Sequence, residues 1–509
     1  MLKRASCACP RSRSRLLCLG FLVAVAGVAG AGPSQANDAE KARQARELVQ
    51  AGKPEEAIPI YEELIRAAPG EVTLRMNLCI AQYKAKRFRD AIESAEAVLR
   101  ARPDLVTAHL FLGASYLDLG EAARAVAPLE RVVAAQPNER NARLMLGQAL
   151  LAFGHSEEAV THLQAAASLM PDNPKAWLGL VRTYEALAAR AAQELDSGAP
   201  GSGYWHAWKA EEEKRRRRYG AALRHYREAL IRLPALSGLH AGLAEMYEQA
   251  ARPDLAVQER RGEEALAPPD CSAHEVQCAF RRGEHTKVIA LGKADRSPEA
   301  LYWLARSWQE LSQAARERLA KLPDSPEKCL LIAQEHESRG LYLEAAKQYR
   351  RALELEPGHP VAETKLAIAL FHSRDYAGAL PLIQTLLRAK PDSSELHFLH
   401  GASLLNMQQP ESAIPHLETA LRLDPQYTPA RAALGHALLN LGQAEAAIPH
   451  LKAALVADED GSRRFQLARA YQLAGRSEEA ALMLQEYEAY RAMVEERRNR
   501  DERLPDSLK

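Results

Sequence analysis

Residues 106–137 read VTAHLFLGASYLDLGEAARAVAPLERVVAAQP, and this stretch decides the fold. Leu112, Gly113 and Tyr116 recur at the three- and four-residue spacing of one helix face. Gly120 ends that pattern, as glycine does where a helix closes in a left-handed turn. Ala125, Leu129 and Val132 then mark a second helix, and Pro137 cannot continue it. Counted from Val106, small residues stand at positions 8 and 20 (Gly113 and Ala125), where the two helices must approach closely. Larger residues at positions 7, 11 and 24 fill the space between pairs. One such pair cannot bury its own apolar face, so pairs must stack.

The unit recurs along the chain. Prolines fall at Pro69, Pro103, Pro137 and Pro171, again at Pro234 and Pro268, and again at Pro357, Pro391 and Pro425, each 34 residues from the last within its group. Twelve residues ahead of them run Ala57, Ala91, Ala125, Ala159, Ala222, Ala256, Ala345, Ala379 and Ala413; Ala447 and Ala480 keep the same register. Position 8 is small throughout, as at Gly147, Ala244, Ala333, Ala367, Gly401, Gly435 and Ala468. A coiled coil is excluded, because the period is 34 and not seven and because proline recurs. The pattern resembles the tetratricopeptide repeat family over nearly all of 38–494. That resemblance implies an all-α, right-handed superhelical solenoid of antiparallel helix pairs. We count about fourteen pairs, three of them shortened.

Composition agrees with this. The chain has 509 residues, 94 of them alanine and only 6% aromatic, which disfavours a β-sandwich or barrel. A single hydrophobic core stops growing near ~250–300 residues, so a chain this long needs several domains or a repeat array. Lys and Arg number 67 against 66 Asp and Glu, so bulk charge indicates no large nucleic-acid surface.

Residues 1–36 differ from the rest. Lys3, Arg4, Arg11, Arg13 and Arg15 precede an apolar run from Leu16 to Ala31, with small-residue cleavage sites at Ala29–Ala31 and Ser34–Ala36. This is the three-part pattern of a secretory signal peptide. The run is shorter than the ~20 residues that a membrane span needs. The expected organisation is therefore 1–36 signal peptide, 38–173 four regular repeats, 174–325 an irregular centre, 326–494 C-terminal repeats and 495–509 a charged tail. Export would permit disulfides. Cys271 and Cys278, however, lie two helical turns apart if one helix carries both, too far to bridge, so Cys79, Cys271, Cys278 and Cys329 are expected as buried small residues.

The alanine register breaks twice, between Ala159 and Ala222 and between Ala256 and Ala345. Residues 174–202 and 298–325 align with each other at an offset of 124, Leu195 with Leu319, and read as two shortened pairs; 271–297 reads as a third. All five tryptophans fall in this centre: Trp177, Trp205, Trp208, Trp303 and Trp308. Core packing is expected for Trp177 and Trp308, whereas Trp205, Trp208 and Trp303 are candidates for an aromatic recognition groove.

In the family, helix A positions 2, 5, 9, 12 and 13 line the inner surface. By that resemblance Arg182 and Arg306 occupy equivalent inner positions, and Tyr204, Lys214 and Arg215 join them. Two arginines so placed suit a carboxylate or acidic peptide. In the regular repeats Met76, Tyr83 and Leu110 make the same face apolar, suited to an amphipathic or extended partner segment. His397 and His400 have i, i+3 spacing, but no acidic or cysteine ligand accompanies them, so no metal site is expected. No phosphate loop, nucleophile elbow or zincin motif occurs.

The reading is therefore an exported, non-catalytic scaffold that binds proteins or peptides. It expects no cofactor, no nucleic acid and no small-molecule substrate, and membrane contact only through an uncleaved N-terminus. Two alternatives stand beside it: a scaffold tethered by that N-terminus, and an enzyme using the Trp- and Arg-rich centre.

Overall fold

The computed structural model describes residues 33–502, so the N-terminal segment falls outside it except for its last four residues. The described residues form 26 α-helices, one short 3-10 turn and no strand. No described helix is long and apolar enough to cross a membrane. The chain divides into two compact units, one ending at Pro171 and the other beginning at Asp172.

The first unit is four consecutive hairpins: α1 (Pro33–Gln50) with α2 (Pro54–Ala67), α3 (Val72–Lys84) with α4 (Phe88–Ala101), α5 (Val106–Asp118) with α6 (Ala122–Ala135), and α7 (Arg140–Ala152) with α8 (Ser156–Leu169). The small-residue rule is visible atom by atom. A Cβ placed on Gly113 would lie 2.6 Å from Cγ of Leu129, and one on Gly147 would lie 2.6 Å from Cγ of Leu163. Opposite them Ala125 and Ala159 are 0% exposed. Small residues here let the helices close far enough to bury the leucine of the second helix, a burial that stabilises by roughly 1.5–3 kcal/mol per side chain.

The second unit opens with a 25-residue helix, α9 (Pro174–Gly198). Three hairpins follow: α10 (Gly203–Arg215) with α11 (Tyr219–Arg232), α12 (Leu239–Gln249) with α13 (Pro253–Glu264), and the short α14 (Glu275–Arg281) with α15 (His285–Ala294). Then comes a 24-residue helix, α16 (Pro298–Lys321). Five regular hairpins complete the unit: α17 (Pro326–Ser338) with α18 (Tyr342–Leu355), α19 (Pro360–His372) with α20 (Tyr376–Ala389), α21 (Ser394–Asn406) with α22 (Pro410–Leu423), α23 (Thr428–Asn440) with α24 (Ala444–Ala454), and α25 (Ser462–Leu473) with α26 (Ser477–Glu502).

Here the structure corrects the sequence reading. Residues 174–202 and 298–325 are not two shortened pairs. Each is one continuous helix, and α9 and α16 pack against each other as the two halves of a single hairpin. They run antiparallel. Trp177 meets Arg318, Val181 meets Ser312, Tyr184 meets Trp308 and Glu194 meets Arg296, so numbers rise along one helix as they fall along the other. Tyr184 and Trp308 stack with ring centroids 5.6 Å apart. They are also the equivalent residues at the 124-residue offset, so the pseudo-twofold relating the two helices passes between them. Helix α17 packs on α9, which places the α9–α16 hairpin where a repeat preceding α17 belongs. The three hairpins from α10 to α15 are thus an excursion between two halves of one repeat. The third short pair expected at 271–297 is present as α14 and α15.

Cys271 and Cys278 form a disulfide with Cα atoms 5.7 Å apart, against the expectation of unbridged residues. That expectation assumed one helix for both. Cys271 lies in the turn before α14, and the chain doubles back at Asp270–His274 to bring it over Cys278. Cys79 and Cys329 are unbridged and buried, as expected. The charged tail continues α26 as far as Glu502 and returns to α11, where Arg224 meets the Asp501 carboxylate at 2.5 Å and donates to the Arg500 carbonyl at 3.0 Å.

Candidate functional site

Where the excursion leaves the α9–α16 hairpin, a cleft of about 690 Å³ opens between α9, α10 and α16. Ala188, Ala189 and Ala192 of α9 form its floor, because small side chains leave room above that helix. Gln193 faces it from α9 and Gln309 and Gln313 face it from α16. Amide side chains both donate and accept, which suits the alternating groups of a peptide backbone. Trp208 and Arg215 enter from α10, and the Arg215 guanidinium lies 5.8 Å from the Trp208 ring centroid.

Charges around the cleft alternate. Lys209 bridges Asp196 at 3.3 Å and Glu212 at 3.2 Å, and Arg316 pairs with Glu185 across the hairpin. A hydrogen bond from the Trp205 indole, and then Lys209, hold the Asp196 carboxyl below the usual carboxylate range. Arg215 has no ion-pair partner among the described residues, so its charge remains available to a ligand. The cleft therefore combines a shallow apolar floor, an amide-lined wall and a free guanidinium.

The sequence-derived candidates divide on inspection. Trp208 and Arg215 line the cleft. Half-buried Trp205 flanks it, its indole N–H donating to Asp196 at 2.6 Å. Lys214 lies nearby but is committed to Glu211 at 3.1 Å and Glu245 at 2.9 Å; burial lowers its pKa, and these two carboxylates more than offset that. Tyr204 packs on Tyr302, and burial together with Glu299 pushes its hydroxyl pKa up.

Arg182 and Arg306 do not converge. Arg306 donates to the Tyr302 hydroxyl at 3.1 Å and lies beside Phe280 of α14. Arg182 sits near Glu327 of α17 and Tyr349 of α18, and burial lowers its pKa. The pseudo-twofold between α9 and α16 turns equivalent residues toward opposite neighbours, so the two arginines cannot grip one carboxylate. In the first unit Met76 is 1% exposed and belongs to the core. Tyr83 is capped by Asp118 at 2.7 Å and packed against Phe88 and Phe111; Leu110 is half-buried. The apolar residues expected on an open inner face are largely consumed by packing between hairpins.

Sequence reasoning missed Lys209, Gln193, Gln309, Gln313 and Arg316. The available signal was the four-residue spacing of Gln309 and Gln313, polar residues on one face of a helix too long for its repeat.

A solenoid of helix hairpins with a 34-residue period and paired small residues defines a class of helical-repeat protein. The chain belongs to the tetratricopeptide repeat family: models of that repeat match residues 48–114, 338–402 and 404–466, and a second such model matches 140–183. No curated protein sequence matches the chain. Solved structures of similar fold include a tetratricopeptide repeat protein from Parabacteroides merdae ATCC 43184, 12% identical with TM-score 0.33, covering 65% of this chain and 98% of that one. MamA from Desulfovibrio magneticus RS-1 is 23% identical with TM-score 0.31, covering 34% and 97%. A thermophilic repeat protein of the same family from Thermus thermophilus is 22% identical with TM-score 0.29, covering 34% and 96%.

Proposed function

We propose that the protein is an exported, non-catalytic scaffold that binds an extended segment of a partner protein in the cleft between α9, α10 and α16. The observation that carries this reading is the cleft itself, with Gln193, Gln309 and Gln313 opposite Trp208 and a free Arg215. A peptide backbone hydrogen-bonds to the amides, an apolar side chain lies over the alanine floor against Trp208, and an acidic side chain pairs with Arg215. Export is supported by the tripartite N-terminal sequence and by the Cys271–Cys278 disulfide, since such bonds persist in oxidising compartments.

The test is a peptide-display screen against the full chain, followed by affinity measurement on Arg215→Glu and Gln309→Ala. Both positions lie at the surface of the cleft, so the variants should keep the helical spectrum of the parent. Selected peptides should be acidic at one position and lose at least tenfold in affinity to Arg215→Glu. Equal affinity for parent and both variants would remove the cleft as the site. N-terminal sequencing of the exported protein tests localisation separately. A start near Pro33 or Asn37 supports release, and an intact Met1 supports the tethered alternative.

A further inference from the structure

Position 4 of helix A and position 23 of helix B, nineteen residues later, meet across many of these hairpins. Arg143 touches His162 there at 3.1 Å, His206 touches His225 at 2.9 Å, His240 touches Glu259 at 2.7 Å and His397 touches His416 at 3.5 Å. The first three are ordinary hydrogen-bond distances. The fourth is not, and its chemistry differs.

The His397 Nε2 lies 3.0 Å from the Pro391 carbonyl oxygen. A carbonyl can only accept, so Nε2 carries the hydrogen and the lone pair of His397 is on Nδ1. That Nδ1 is the atom facing Nδ1 of His416 at 3.5 Å. Two nitrogens bound to one tetrahedral ion at 2.0–2.1 Å lie about 3.3 Å apart. A backbone carbonyl holding the far nitrogen is also the usual way a ligating imidazole is oriented. A third imidazole adjoins the pair: His400, one turn along α21, has its ring centroid 3.9 Å from that of His416. His400 is 6% exposed; its Nε2 meets the Gln384 side-chain amide at 3.4 Å, and its Nδ1 is buried with no hydrogen-bond partner. A buried nitrogen left unpaired is costly unless something binds it.

We propose that His397, His416 and His400 form a site for a divalent transition-metal ion between α21 and α22. His397 and His416 ligate through Nδ1; the His400 nitrogens stand too far off to join them as placed, so His400 completes the set by leaving Gln384 and turning its side chain toward them. A site of neutral imidazoles alone selects borderline ions such as Zn²⁺, Ni²⁺ or Cu²⁺ over Mg²⁺ or Ca²⁺. The ion would clip the two helices of one hairpin together.

A second trio, Glu327, Glu356 and His359, is closely grouped but differently poised. His359 Nδ1 accepts from the Ala362 amide at 3.3 Å, which puts its hydrogen on Nε2, and Lys175 already lies 3.9 Å from Glu327.

The experiment uses the full chain without a polyhistidine tag, stripped with chelator. Zn²⁺ titration by calorimetry should show one site, weakened at least tenfold in His416→Gln and in His397→Gln, and unchanged in the control His206→Gln/His225→Gln. Cu²⁺ bound to the parent should show nitrogen hyperfine structure by electron paramagnetic resonance, a readout that does not depend on any variant folding. Absence of Zn²⁺ binding by the parent, an oxygen-only Cu²⁺ spectrum, or equal loss in the control pair would overturn the proposal.

Discussion

At the residue scale, the repeat is a set of steric requirements that single side chains meet or strain. Position 15 must turn with φ near +60 to +90°. Gly120 and Gly154 do so freely, but Ala251 sits there at φ 55° and Lys86 at 62°. A non-glycine residue in that region costs about 1–2 kcal/mol, and glycine's extra unfolded-state freedom returns roughly 0.5–1 kcal/mol of that. Ala251→Gly should therefore stabilise the second unit by about 0.5–1 kcal/mol, read as a higher denaturant midpoint at unchanged slope. Gly147→Ala should do the reverse. The added Cβ meets Leu163 at 2.6 Å, and overpacking of about 1–3 kcal/mol outweighs the helix-propensity gain of about 1 kcal/mol. A midpoint unmoved by Gly147→Ala would mean that the hairpin is looser than its packing implies. Positions 8 and 20 were legible in the sequence because sterics confine them to small residues, and position 15 was legible only where it holds glycine, since Lys86, Arg217, Arg374 and Gln408 also turn there. The position 4 and 23 contacts were not, since arginine, histidine and glutamate all serve there and their partners lie nineteen residues away.

At the scale of elements, the informative failure is α9 and α16. The repeat is read by local period, and each of these helices shows the first-helix signature without the alanine and proline of a second. Two short pairs were the local solution. What argued for one long helix was the lack of turn residues: neither glycine nor proline interrupts 180–197 or 299–322. Nothing local says that two helices so far apart share one hairpin. The two arrangements differ measurably at Tyr184 and Trp308. Both are nearly fully buried, so replacing either with alanine should cost about 3–5 kcal/mol. If α9 and α16 are partners, a double-mutant cycle should also show a coupling of about 0.5–1.5 kcal/mol, the ordinary value for a stacked aromatic pair. Strict additivity would mean that the rings do not touch and that each helix belongs to a separate pair. The same misreading explains the arginines: Arg182 and Arg306 looked parallel in sequence and are opposed in space, while the cleft formed by the long helices had no counterpart in the repeat register.

At the scale of the whole molecule, histidine burial sets the response to acid. Burial lowers the pKa of His162, His206, His225, His436 and His450, and nearby positive groups add to this: Arg143 at His162, Arg232 at His206, His206 at His225, Arg469 at His436 and Arg431 at His450. Glu158, Glu228, Glu213 and Glu418 oppose the shift at His162, His206, His225 and His450 without reversing it. Each group thus binds protons more weakly folded than unfolded. Above the unfolded value near 6.5 all are neutral in both states and stability is unaffected. As pH falls through 6.5 the unfolded chain takes up protons first, so stability declines until each folded value is passed. Carboxylate pairs such as Asp196 with Lys209 add their own loss only at more acid pH, because Asp196 is held below its usual range. The melting temperature in chelator should therefore fall between pH 7.5 and pH 5.5. His206→Gln with His225→Gln should flatten that slope. The pair is suited to this test because its 2.9 Å contact requires one imidazole to accept, which protonation of both forbids. A melting temperature that rises toward pH 5.5 would mean that the carboxylates beside these histidines outweigh their burial, contrary to the downward shift found for each.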